Sequence, residues 1–207
     1  MPAPMHGEAV QLIEAGDYDA VITQVICLGH QAWKEKEVTK FWVELFIPSL
    51  NISKPLSNFG INTWLSPSRP PFVGFYELIT ATTNEQNPSK DFLNDYDLFD
   101  VAGKSVTLTF DVNEKGYMNI VGVKPYTGTA SLKTEEEIIK MGVEDFKNEE
   151  LMEKISDKPR QMIWTSREFQ EGDPFFANSK TVSAKNDIKK TTLEEVPDEI
   201  KISDVPF

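Results

Sequence analysis

The residues in this chain best suited to chemistry are aromatic rings set among lysines and arginines. Trp33 stands beside Lys34 and Lys36, Trp42 and Phe46 share one alternating stretch, and Trp64 is followed by Arg69. Further on come Lys104, Tyr117 and Lys124. Flat rings stack on the faces of unpaired bases, at roughly 1–3 kcal/mol per base, while neighbouring cations neutralise phosphates. That chemistry is binding rather than bond making.

Bond-making chemistry finds little support. A Gly-rich phosphate loop followed by Lys-Ser/Thr is missing from the sequence, as are Gly-x-Ser-x-Gly and His-Glu-x-x-His. One cysteine, Cys27, excludes an internal disulfide and a Cys-rich zinc site, and two histidines, His6 and His30, argue against a His-based metal cluster. Cys27 reads as a small buried hydrophobe and His30 as polar surface. The carboxylate pairs Asp17/Asp19 and Asp95/Asp97 read as solvated or turn residues in so acidic a chain. The expectation is no catalytic residue, no metal and no cofactor.

The elements that must position the aromatics follow from patterning. Residues 17–28 are rich in β-branched side chains and read as a strand closed by Gly29. Residues 39–47 read as a second strand ended by Pro48, with Phe41, Val43, Leu45 and Ile47 on a core face. Trp42, Glu44 and Phe46 then fall on the other face, which leaves Trp42 and Phe46 on the outer or groove side. A third strand is expected over 58–65, bent at Gly60. Phe72, Phe75, Tyr76 and Ile79 recur at helical spacing within 72–82. An acidic loop over 84–100 follows, and a fourth strand runs from Ser105 to Val112. The turn Asn113-Glu114-Lys115-Gly116 then leads to a fifth strand, Tyr117 to Lys124.

Three strands, a helix and a two-stranded hairpin are the element order of an OB-fold, a five-stranded Greek-key barrel with its helix between the third and fourth strands. The expected fold is therefore mainly β, with residues 1–130 as an OB-fold nucleic-acid-binding domain. Residues 131–176 read as a helical, aromatic extension packed on the barrel. Within it, 133–155 is charged and helix-prone, and Trp164, Phe169, Phe175 and Phe176 are too apolar for a solvated linker. Residues 177–207 read as a flexible acidic tail.

The formal charge of −12 weighs against nucleic-acid binding, whose affinity comes largely from phosphate neutralisation. Its distribution softens the objection. Residues 1–130 carry 9 basic and 15 acidic side chains, so about half of the excess lies beyond residue 130. Any groove must be a local basic patch. No apolar run approaches the roughly 20 residues that span a bilayer, and the first residues lack the layout of a signal peptide. A soluble protein without membrane contact is expected, cytoplasmic or, if viral, in the host cytoplasm.

The last nine residues end in Asp204-Val205-Pro206-Phe207, with Glu194, Glu195, Asp198 and Glu199 upstream. A terminal Phe presents its ring and carboxylate together, and Pro206 limits the entropy lost on docking. This ending resembles that of bacterial and phage single-stranded DNA-binding proteins, whose acidic tails close with Asp-(Ile/Leu/Val)-Pro-Phe. Gly16-Asp17-Tyr18-Asp19-Ala20-Val21, Leu28-Gly29-His30-Gln31, Val43-Glu44-Leu45 and Gly103-Lys104-Ser105-Val106 resemble stretches of the phage-type group over roughly residues 10–126. The resemblance implies multimeric coating of single strands during phage replication or recombination, with Asp204, Val205, Pro206 and Phe207 recruiting partner proteins. An acidic protein-interaction module that does not itself bind DNA is the alternative reading, and a structural β-protein assembling through its aromatics is a third.

Overall fold

An 18-residue strand, β1 (Gly16–Trp33), is the element against which the other parts of the molecule are laid. The computed structural model describes residues 13–33, 36–63, 65–67, 73–83, 85–113 and 117–171. Along one edge β1 pairs antiparallel with β2 (Lys36–Ile47), from Val21↔Phe46 to Trp33↔Lys36. The other edge is shared in succession. β5 (Ser105–Val112) pairs antiparallel with Gly16–Val21, and β7 (Ile139–Met141) pairs parallel with Gln24–Ile26. β3 (Ile52–Pro55) and β4 (Ile61–Asn62) both pair with β2, and β6 (Met118–Pro125) pairs with β5. The result is a seven-stranded, mostly antiparallel sheet with the path β3-β2-β1-β5-β6.

Two bulges in β1 determine what each face buries. Between Ile22 and Gln24 the strand advances two residues while β2 advances one, from Leu45 to Glu44. The extra residue, Thr23, changes the phase of the alternation. Ala20 and Ile22 before it, and Val25 and Cys27 after it, therefore enter the same core. A second bulge between Cys27 and His30 contains Gly29, whose φ of 70° suits a residue without a Cβ.

The main core joins these residues to Phe41, Val43, Leu45 and Ile47 of β2 and to Val106, Leu108 and Phe110 of β5. Helix α1 (Phe75–Thr83) closes it with Phe75, Leu78 and Ile79, at i, i+3 and i+4. The Phe75 ring meets the Phe41 ring edge-on at 5.1 Å. The expected third strand over 58–65 is replaced by the two short strands β3 and β4. Between them Gly60 stands at φ 71°, breaking the run. The acidic loop over 84–100 contains α2 (Lys90–Asp95) and a 3-10 turn (Leu98–Val101), capped by Ser89 and Asp97.

A second core lies on the opposite face of β1 and β2. Ile26, Leu28 and Trp42 are covered there by Ile139, Met141, Phe146, Met152, Ile155 and Ile163. These come from β7, a 3-10 turn (Val143–Lys147), α3 (Glu149–Lys154) and α4 (Asp157–Trp164). The helical expectation for 133–155 is thus corrected to a strand followed by short helices. Ile139 and Met141 flank exposed Lys140 with strand alternation and supply β1 with main-chain partners.

Trp42 is corrected as well. Its face is the one the alternation gives, but the ring is 3% exposed beneath the extension. Truncating it to alanine should cost about 3–5 kcal/mol, as removal of large core aromatics does. Truncating exposed Val112 should change stability by less than about 0.5 kcal/mol. Urea unfolding of the two variants measures both, and equal midpoints would contradict the burial.

Candidate nucleic-acid interface

The residues with stacking or phosphate-binding chemistry occupy several separate places. Lys36 is exposed at the end of the β1–β2 hairpin, opposite Trp33, while Lys34 lies outside the described residues. Phe46 is half-buried on the same face of β2 as Trp42, with Ser53 of β3 as its cross-strand neighbour. Tyr117, at the end of the β5–β6 hairpin, is 67% exposed. Trp64, Arg69 and the terminal Asp204, Val205, Pro206 and Phe207 lie outside the described residues.

Two of the selected cations have other partners. Lys104 is half-buried and donates from Nζ to the Tyr96 hydroxyl at 3.0 Å. Lys124 rests on Asp17, with Nζ 2.8 Å from Oδ2, and Thr109 donates to Oδ1 of the same carboxylate at 2.7 Å. The bonds from Lys124 and Thr109 hold the Asp17 carboxyl below its ordinary value. A phosphate at Lys124 would have to displace that carboxylate. Such an exposed pair is weak, so displacement costs little.

Sequence reasoning missed the anchoring of the extension. His30 is not open surface. Its main-chain N–H donates to Glu168 Oε2 at 2.8 Å, and its ring Nδ1 is paired with Oε1 of the same carboxylate. Thr39 Oγ1 lies 3.3 Å from the other ring nitrogen. Glu168 belongs to α5 (Arg167–Glu171), and its side chain is only 3% exposed. The neighbouring Arg167 donates to Glu37 Oε2 of β2 at 2.7 Å. Gln31 adds a bond from Nε2 to the Met162 carbonyl at 2.8 Å.

Gly29 makes this approach possible, because a Cβ there would sit 2.9 Å from that of Ser166. With His30 and Glu168 lying 138 positions apart, no local spacing signals the pair. Among the described residues no group of three or more His, Cys, Asp or Glu is placed to hold a metal.

The aromatic with the greatest exposure among the described residues is Phe59, at 72%, in the connection between β3 and β4. Lys40 of β2 donates to its carbonyl at 3.3 Å, and burial lowers the Lys40 pKa. Lys158 of α4 places its ammonium 5.8 Å from the centre of the Phe59 ring. No helix among the described residues is long and apolar enough to cross a membrane. Comparison with known proteins finds no family model that matches the chain and no matching curated protein.

The buried carboxylate makes a pH-dependent prediction. Burial pushes the Glu168 carboxyl up, and the hydrogen bonds from the His30 ring and main chain outweigh it, so it ionises below its ordinary value. Its contribution to stability is therefore complete above the unfolded value of about 4.3 and fades as pH falls through the lower folded value. Glu168→Gln should cost about 1.5–3 kcal/mol at pH 7, the range for hydrogen bonds to charged groups. Thermal unfolding of both proteins from pH 7 to 3 should show the gap closing below pH 5. A gap unchanged at pH 3 would exclude this origin.

Proposed function

We propose that this chain binds single-stranded DNA without sequence specificity, holding it by aromatic stacking and lysine–phosphate contacts. The observation that carries the reading is the strand path. With β3 and β4 counted together as a third strand, β5 as the fourth and β6 as the fifth, the path runs third, second, first, fourth, fifth. Helix α1 falls between the third and fourth. An OB-fold has that order, and it takes oligonucleotides on the face of its second and third strands and on the loops after its first and fourth. Lys36 opens the second strand at the end of the first of those loops, Tyr117 stands at the end of the second, and Phe46 and Lys40 belong to the second strand.

In this reading the protein protects single strands during phage DNA replication or recombination and self-associates along them. Asp204-Val205-Pro206-Phe207 docks on replication or recombination proteins. Acidic residues of the tail also compete with DNA for the lysines that would hold it when no strand is bound.

The test is tryptophan fluorescence during titration with oligo-dT, at low salt and at about 0.3 M. Saturating quenching that weakens with salt is expected, with a log–log slope near −0.7 per phosphate contacted. A flat titration at low salt overturns the reading. Deleting 199–207 should tighten DNA binding at low salt and abolish partner capture, and no change in either would remove the tail from the proposal.

The net charge of −12 favours one other reading, an acidic interaction module of a replication or recombination complex that does not itself bind DNA. It predicts the flat titration.

A further inference from the structure

We propose that Phe59 and Lys158 form a composite site for one nucleotide of a single strand, the ring stacking on the base and the ammonium taking the adjacent phosphate. This rests on the single-strand reading above and gives the C-terminal extension a part in it, because α4 supplies Lys158. A ring left 72% exposed contributes little to folding, yet its backbone is held on three sides. Phe59 N–H donates to Ser57 Oγ at 3.3 Å, and its carbonyl accepts from Lys40 at 3.3 Å. Gly60, at φ 71°, packs so tightly that a Cβ would sit 2.8 Å from Leu28 Cδ1 and 3.1 Å from the Phe41 carbonyl. The ring is presented by a fixed backbone, which reduces the ordering needed when a ligand stacks on it.

The charges fit a polyanion. Among the described residues no carboxylate lies within ion-pair distance of Lys40 or Lys158, although acidic residues outnumber basic ones 33 to 21 in the chain. Asp157, next to Lys158, is turned to Arg160 at 3.4 Å. Lys158 sits within the roughly 6 Å at which an ammonium is attracted to a ring face, so ring and charge are prepositioned together. An aromatic face with two cations that make no ion pair among the described residues matches a base flanked by phosphates. Lys40, paired across to Asn62 of β4, puts the site beside the second-strand face.

The experiment is fluorescence anisotropy of labelled oligo-dT with the full chain and three variants across a salt series. Phe59→Ala should weaken binding roughly 5- to 100-fold, the equivalent of one lost stack. Lys158→Ala should weaken it and lower the magnitude of the log–log salt slope by about 0.7. Phe59→Trp should keep the affinity and add a fluorescence signal that oligo-dT quenches. Because ring and ammonium lie on the surface, unfolding midpoints should match wild type, separating lost binding from lost folding. Wild-type affinity and salt slope in Phe59→Ala and Lys158→Ala would overturn the composite site while leaving the single-strand reading standing. Failure of the wild-type chain to bind oligo-dT would overturn both.

Discussion

A long strand with apolar side chains on both sides has four surfaces to satisfy: two edges of main-chain N–H and C=O groups, and two faces. Unpaired buried main-chain groups cost as much as lost hydrogen bonds, and exposed apolar faces forfeit the main driving force of folding. β1 meets the first edge with β2. On the second it uses β5, then β7, and then the Glu168 side chain of α5, which accepts from the His30 main-chain N–H. Each partner comes from a more distant part of the chain than the last. The architecture can be understood as the consequence of completing this one strand, and the two cores are its two faces.

The carboxylate of Glu168 illustrates how that completion is made specific. An apolar extension alone could slide on an apolar face. The pairing of Glu168 with both the ring and the main chain of His30 defines one register, with Arg167 reaching β2 beside it. Gly29 opens the space by combining a bulge, a positive φ and an absent side chain. Buried polar contacts of this kind contribute uniqueness of packing as much as stability.

How much of this was legible in the sequence depended on the range of the signal. The β-branched run of β1, the alternation of β2 and β5 and the spacing of Phe75 and Ile79 are local, and each marks its element. The bulge at Thr23 was hidden because apolar residues on both faces erase the alternation whose slip would reveal it. The charged, helix-prone composition of 133–155 hides β7, and only the edge of β1 left open beyond β5 makes Ile139–Met141 a strand. Trp42 was given its correct face but the wrong neighbour, since a sequence cannot say what covers an outer face. Phe59 carried no signal at all, because exposure of a single aromatic has no period. The candidate binding residues were legible as chemical types but not as a surface, because their grouping depends on elements far apart in the chain.

The parallel pairing of β7 with β1 joins residues about 115 positions apart, Gln24 to Ile139. During synthesis the β1–β2 hairpin is complete long before its covering segment leaves the ribosome. At ordinary elongation rates of about 5–20 residues per second, Ile26, Leu28 and Trp42 stay bare for several seconds. In that interval the nascent chain carries an unpaired strand edge beside an apolar face, the combination that recruits chaperones or, at high expression, other copies of the same chain. The late-arriving extension ends that exposure by pairing the edge and covering the face, and truncation ahead of it would leave both bare.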